Sequence, residues 1–321
     1  MNDRPFVPLV EDDLGKVRQL LGAHPGGQHE AITQAVDHLV GGGGKRLRPA
    51  LVLLSAHLCQ ADIDRAIFAA AAAEMLHTAT LVHDDLIDGS LIRRGVDTLN
   101  ANWTPAATIL TGDYIFARAA HLVAQTDNIR LTQRFAETLM IICNGEVRQM
   151  FDGKPGQTDL EDYQRRIHAK TASLIALSAE AGAILANSGL HQEEALRTYG
   201  QQIGTAFQIV DDVLDFIADE GTLGKPVGSD MRQGLVTLPV LLFLQTGSDH
   251  SIIHQVLDGN RTQDVVEKAV RAVIESPAIE QALAAARQHA DEAKSALRHF
   301  PDTSYRAALR DLADFTVDRR F

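Results

Sequence analysis

Residues 61–88 read ADIDRAIFAAAAAEMLHTATLVHDDLID, and this stretch decides the fold. It contains no glycine or proline and is rich in alanine and leucine, which are strong helix formers. Apolar residues fall on nearly every side of it, which predicts a central helix buried all round. The stretch ends in His83-Asp84-Asp85-Leu86-Ile87-Asp88. On an α-helix Asp84 and Asp88 share one face, and two like charges at that spacing cost an isolated helix roughly 0.2–0.5 kcal/mol. Folding gains nothing from them. Carboxylates flanked by Thr80-Leu81-Val82 call for a cation as partner.

Working outward, the rest of the chain also reads as helices. Thr104-Pro105 predicts an N-cap followed by proline in the first turn, opening a helix through Val123. Ser276-Pro277 repeats the signal, and behind it Ile279, Leu283, Ala286, Ala290, Ala293, Leu297 and Phe300 recur at spacings of four and three, a packing face. No alternating run bounded by turns reads convincingly as a strand. Turn-forming residues cluster at 41–44, 152–156, 221–234 and 247–249, and no repeat of fixed period is present. The expected architecture is all-α: one domain over residues 1–321, about a dozen helices, a motif core at about 39–240 and C-terminal helices at about 250–321.

The chain has 321 residues, 45% of them hydrophobic, and a net charge of −12 from 42 acidic and 30 basic side chains. That balance excludes a duplex-binding domain, which would carry a basic surplus, so no nucleic acid is expected as partner. Cys59 and Cys143, the two cysteines, form neither a disulfide framework nor a metal-binding spacing, which fits a reducing, cytoplasmic location. The first turns hold Asp3, Glu11, Asp12 and Asp13 rather than a basic start and an apolar core, so no signal peptide is expected. No uninterrupted apolar run reaches the ~18 residues of a membrane span.

A second acidic motif, Asp211-Asp212-Val213-Leu214-Asp215, follows the apolar flank Gln208-Ile209-Val210. Oxygen-only donors without a histidine or cysteine cluster favour Mg²⁺ over zinc. Mg²⁺ takes one or two carboxylates and fills its shell with phosphate oxygens and water. Two such faces directed at each other would hold a diphosphate through bridging metals. Cations accompany them. Gly41 to Gly44 lead into Lys45-Arg46-Leu47-Arg48-Pro49, which is no Walker A loop, because Arg46 stands where serine or threonine is required. It reads as an anion site in which glycines allow close backbone approach and Lys45 and Arg48 supply charge. Arg93-Arg94 follows Asp88 by five residues, and Lys170-Thr171 and Lys225 add further candidates.

With Gly-Gly-Lys-Arg-Leu-Arg-Pro at 43–49, two Asp-Asp-x-x-Asp motifs, Arg93-Arg94-Gly95, Lys170-Thr171, Phe207-Gln208, and Gly224-Lys225 with Gly228 and Asp230, the sequence resembles the trans-isoprenyl diphosphate synthases, in particular the long-chain group of octaprenyl type. The resemblance runs from about Leu39 to Pro239 and more weakly to the C-terminus. It implies the isoprenoid synthase fold, helices around a central cavity, and roles position by position. Lys45, Arg48, His77 and Arg94 match the isopentenyl diphosphate site. Arg93, Lys170, Thr171, Gln208 and Lys225 match the allylic diphosphate site. Asp84, Asp88 and Asp211 match the leading magnesium ligands, with Asp215 joining them and Asp85 and Asp212 in support, for three ions with substrate bound. Leu235 follows Gly234 where the family often has a second lysine, so one cationic contact to the allylic diphosphate is absent, a loss of ~1.5–3 kcal/mol.

The implied reaction joins an allylic diphosphate, farnesyl or geranylgeranyl, to isopentenyl diphosphate. Ala79 and Thr80, one turn before Asp84, are small where short-chain relatives carry an aromatic plug, and Ala69 to Ala73 continue a narrow-sided wall. A product from heptaprenyl to decaprenyl is therefore expected, destined for a quinone side chain, with Phe135, Met140 and Ile141 as candidates for the tunnel floor. The resemblance also implies a homodimer and peripheral membrane contact for product release. Two other classes stand beside this reading: a class I terpene cyclase, which would have no use for the Lys45, Arg48, His77 and Arg94 set, and a subunit of a heteromeric synthase, either non-catalytic or the catalytic half that needs a small partner.

Overall fold

The computed structural model describes residues 6–24, 26–41, 46–93, 95–152, 159–218, 227–247 and 249–318. The helices, in chain order, are α1 (Glu11–Gly22), α2 (Glu30–Gly41), α3 (Leu47–Leu58), α4 (Ile63–Ile87), α5 (Leu99–Asn102), α6 (Pro105–Ala124), α7 (Ile129–Asp152), α8 (Leu160–Ile167), α9 (Ser173–Leu185), α10 (Leu190–Ile217), α11 (Ser229–Gln233), α12 (Leu238–Leu244), α13 (Ser251–Leu257), α14 (Gln263–Ile274), α15 (Ala278–Ala296) and α16 (Ser304–Val317). The all-α expectation is met. The one exception among the described residues is a short hairpin, β1 (Ile92–Arg93) against β2 (Val96–Asp97), with Arg93 opposite Val96. Four paired residues are too few for a period-two signal.

The described residues gather into two compact units, and the division falls within α7, near the start of α9, within α10 and in the C-terminal helices. In the first unit α4 is the central helix and packs against α6, α3 and α1. Its start is fixed by Asp62, whose carboxylate accepts from the Arg65 N–H at 3.3 Å. Ala70, Ala71, Ala72, Met75, Leu76 and Ala79 are buried, as the quoted stretch predicts. By length and composition α4 would pass for a membrane span, yet 67% of its most apolar window is buried within the fold. Small residues bring its neighbours close: a Cβ added at Gly182 of α9 would stand 2.3 Å from the Ala56 nitrogen of α3.

The second unit has its own core. Val210, Val213 and Phe216 of α10 meet Phe243 of α12, Val256 of α13 and Val270 of α14. Helix α15 packs against α12 and α14 and buries Ile279, Ala282, Ala286, Ala290 and Ala293, most of the stripe read from the sequence. Leu283 is only half-buried, and Ala282 takes the fully buried position. The predicted caps are present: Thr104 accepts from the Ala107 N–H at 3.3 Å at the head of α6, and Ser276 accepts from the Ala278 N–H at 3.2 Å before α15.

Candidate active site

The first aspartate motif closes α4. The Asp88 N–H donates to the Asp84 carbonyl at 2.8 Å, so the helical turn is complete and the two carboxylates share a face. Asp84 is half-buried and Asp88 exposed, whereas Asp85 is buried. Arg93 in β1 accounts for that difference: its Nε donates to Asp85 Oδ1 at 2.7 Å. The hairpin thus folds an arginine from the Arg-Arg-Gly segment back onto the motif that precedes it. His83, on the opposite side of the same turn, approaches the Ile109 carbonyl of α6 at 3.2 Å and packs against Gly112, where an added Cβ would meet its Nε2 at 2.2 Å. Arg48 in the first turn of α3 and His77 on α4 are half-buried in the same unit. Lys45, Arg94 and Lys225 lie outside the described residues.

Arg46, which carries no expected role, is the structural member of its segment. It takes a left-handed conformation (φ 47°), and its guanidinium donates to Glu74 at 2.7 Å and to the Val40 carbonyl at 2.6 Å.

The second motif lies on α10 in the other unit. Asp211 is half-buried, and Asp212 and Asp215 are buried. Asp212, 3% exposed, has both carboxylate oxygens engaged: the Tyr163 hydroxyl donates to Oδ2 at 2.7 Å and the Gln208 amide to Oδ1 at 2.9 Å. Gln208 in turn accepts from the Thr171 hydroxyl at 2.7 Å. A continuous hydrogen-bonded chain therefore runs from the Lys170-Thr171 pair to the aspartate motif. Burial pushes the Asp212 carboxyl up to about 7, with Asp230 adding to the rise and Gln208, Tyr163 and Arg166 opposing it. Burial, with Asp212 beside it, holds the Tyr163 hydroxyl far above its ordinary value, so Tyr163 is a donor. Asp215 accepts from the Asp230 N–H at 3.1 Å, and its carbonyl accepts from the Gly228 N–H at 2.8 Å.

Lys170 and Thr171 stand in a π-helical turn, His168–Ala172, between α8 and α9. Such turns contain one residue more than an α turn and are frequent at functional sites. Lys170 is exposed and pairs with Glu146 of α7 at 3.0 Å. At Gly234 (φ 84°) the Arg261 guanidinium lies so close that a Cβ would stand 2.1 Å from its Nη2. Leu235 follows, its N–H donating to the Asp230 carbonyl at 2.9 Å. Sequence reasoning had no signal for Tyr163, Glu146 or the π turn, because each acts through a contact with a residue distant in the chain.

The donor set fits magnesium. In the first unit Asp84 and Asp88, and in the second unit Asp211, each offer carboxylate oxygens from partly accessible helical positions. Among the described residues no three histidine, cysteine, aspartate or glutamate side chains form a closed cage, and Mg²⁺ ordinarily takes one or two carboxylates with water or phosphate oxygen in the rest of its shell.

The first unit also contains a small apolar gap lined by Val52, Ala69, Ala73, Leu131, Phe135 and Leu177 among others. Ala69 and Ala73 lie on α4 below Asp84. Ala79 is fully buried, and Thr80 turns its hydroxyl back to the His77 carbonyl at 2.8 Å. Phe135, a candidate for the tunnel floor, lines the gap and is buried. Met140 and Ile141, the other two candidates, are 69% and 38% exposed and line none of this gap.

A helical fold with an aspartate pair at the end of its core helix, and a second acidic motif hydrogen-bonded to a lysine–threonine turn, defines an isoprenoid synthase. The Polyprenyl synthetase family profile matches residues 29–273. The chain is 40% identical to heptaprenyl diphosphate synthase component 2 of Geobacillus stearothermophilus over the whole of both chains. It is 35% identical to octaprenyl diphosphate synthase of Haemophilus influenzae, covering 98% of this chain and 96% of that one. A crystal structure of a polyprenyl synthase from Caulobacter crescentus CB15, complexed with calcium and isoprenyl diphosphate, superposes with a TM-score of 0.93 at 39% identity, covering 99% and 98% of the two chains. The chain belongs to the polyprenyl synthetase family and is a prenyltransferase, a polyprenyl diphosphate synthase.

Proposed function

We propose that this enzyme extends an allylic diphosphate with isopentenyl diphosphate, in a magnesium-dependent reaction, to a long all-trans polyprenyl diphosphate between heptaprenyl and decaprenyl. The observation that carries the reading is the chain Thr171–Gln208–Asp212–Tyr163, which ties the cationic turn to the second aspartate motif. Asp84, Asp88 and Asp211 would hold the metal, with Asp215 assigned to the same motif. When bound, magnesium neutralises the charge that grows on the departing diphosphate. Lys170 and Arg93 add fixed positive charge for the same group, and Thr171 and Gln208 supply polar contacts beside it. Arg48 and His77, with Lys45 and Arg94, orient isopentenyl diphosphate, so that its double bond stands ready as the allylic C–O bond breaks. The bond electrons leave with diphosphate, a new carbon–carbon bond forms, and the proton lost from the isopentenyl unit passes to the departed diphosphate. No side-chain base is required.

Product length follows from the wall of α4. Ala79 and Thr80 are small beside the first aspartate motif, and the gap lined by Ala69, Ala73 and Phe135 lies further along α4. Each methylene buried there is worth ~0.8 kcal/mol, which favours continued elongation until Phe135 is reached.

A second reading has one specific support. The Geobacillus relative is named as a component, so the present chain would then be a catalytic half that requires a small partner. Purified protein given farnesyl diphosphate, radiolabelled isopentenyl diphosphate and Mg²⁺ decides between them. Elongated products from the chain alone establish a self-sufficient synthase, and their chromatographic length fixes the product. Absence of turnover until a partner is added establishes the component reading.

A further inference from the structure

Lys170 and Thr171 occupy the middle of the π turn, and the residue on either side of them meets a glycine from a different helix. A Cβ added at Gly145 of α7 would stand 2.4 Å from the Cβ of Ala169. At Gly204 of α10 it would stand 2.5 Å from the Cα and 2.8 Å from the Cβ of Ala172. Both distances are shorter than side chains tolerate, so each contact exists only because the position is glycine. Backbone conformation does not explain either residue, since neither has a positive φ. Glycine inside a helix also weakens it relative to alanine. Close approach is what these two positions provide. Ala169 and Ala172 are buried, so the turn has little room to yield.

The polar contacts follow in register. Glu146, next to Gly145, pairs with Lys170, next to Ala169, at 3.0 Å. Gln208, one helical turn beyond Gly204, accepts from Thr171, next to Ala172, at 2.7 Å. Each glycine contact therefore sets the backbone beside a side-chain contact that aims one of the two functional residues.

We propose that Gly145 and Gly204 clamp the π turn and, with Glu146, position Lys170 and Thr171 to receive the allylic diphosphate. These are positioning residues; none is assigned a contact with substrate. The inference rests on the reading of Lys170 and Thr171 given above.

Steady-state kinetics of the full chain, with each substrate varied in turn well below the melting temperature, test it. Gly145→Ala raises KM for the allylic diphosphate roughly fivefold or more, while KM for isopentenyl diphosphate stays within about twofold. Adding Ala169→Gly to Gly145→Ala moves the methyl across the contact, where its nearest remaining neighbour is the residue 169 Cα at 3.7 Å, and recovers most of the loss. Glu146→Ala raises the same KM, and Glu146→Gln restores part of it because the amide oxygen still accepts from Lys170. Should Gly145→Ala fail to fold, the Glu146 pair of variants decides the question, since neither introduces a clash. Equal changes in both KM values, or losses that track melting temperature and are not recovered by the methyl exchange, overturn the clamp. An unchanged allylic KM in Gly145→Ala and Glu146→Ala, beside a raised one in Lys170→Ala, also overturns it while sparing the site. An unchanged allylic KM in Lys170→Ala removes the site reading itself, and the clamp with it.

Discussion

Tyr163 and Asp212, on α8 and α10, are joined by a hydrogen bond of 2.7 Å in which the buried phenol donates to the buried carboxylate. The carboxylate belongs to the aspartate motif, and its other oxygen is held by Gln208. Asp212 is thereby fixed in orientation, and Asp211 is the more accessible member of the adjacent pair. Removing the donor leaves a buried acceptor oxygen unsatisfied, at a cost of ~1–3 kcal/mol. Tyr163→Phe is expected to lower stability by about that amount in urea unfolding and to raise KM for the allylic diphosphate. Wild-type values on both counts would separate the phenol from the motif.

Asp84→Ala is expected to abolish turnover while far-UV circular dichroism stays helical, because the residue closes α4 without packing its core. In the wild-type chain EDTA stops the reaction and Mg²⁺ restores it. Near-normal activity of the variant, or indifference to chelation, would take the first motif out of the metal site.

Thr80 and Phe135 bracket the expected path of the growing chain. Thr80→Phe fills space one turn from Asp84 and is expected to shorten the product. Phe135→Ala opens the apolar gap at its far side and is expected to lengthen it, at a stability cost of ~3–5 kcal/mol for a buried aromatic. Chromatography of the products reads both, and an unaltered distribution in the two variants would place the tunnel elsewhere.

Two buried histidines of the second unit resist protonation and so favour unfolding in mild acid. Burial lowers the pKa of His168, and burial lowers that of His289 with Glu292 opposing. The folded chain therefore binds fewer protons than the unfolded chain just below the ordinary value of 6.5. The stability these two histidines contribute is then full above that pH and declines as pH falls through the window beneath it. Asp212, raised to about 7, takes up a proton and gains stability over the same window, so the histidine contribution is read as a difference: on going from about pH 7 to roughly pH 5.5 the combined His168→Gln and His289→Gln variant is expected to lose less melting temperature than the wild-type chain. An equally steep slope in the double variant would assign the acid sensitivity to other groups.

The helical class, the extent of α4, the caps at Thr104 and Ser276 and the shared face of Asp84 and Asp88 were legible in the sequence, because each depends on residues within a few turns of one another. Helical periodicity and capping are local properties of the chain, and burial in the core reinforces them. The quoted stretch therefore determined both the central helix and the acidic pair at its end.

The tertiary structure alone decided what each aspartate touches. Asp85 is paired with Arg93 through a hairpin too short to announce itself, and Asp212 meets Tyr163 from a helix 49 residues earlier. The π turn, its two glycine contacts and the exposure of Met140 and Ile141 likewise follow from how faces meet. Which faces meet is a property of packing between elements distant in the chain, and no local pattern of residues encodes it.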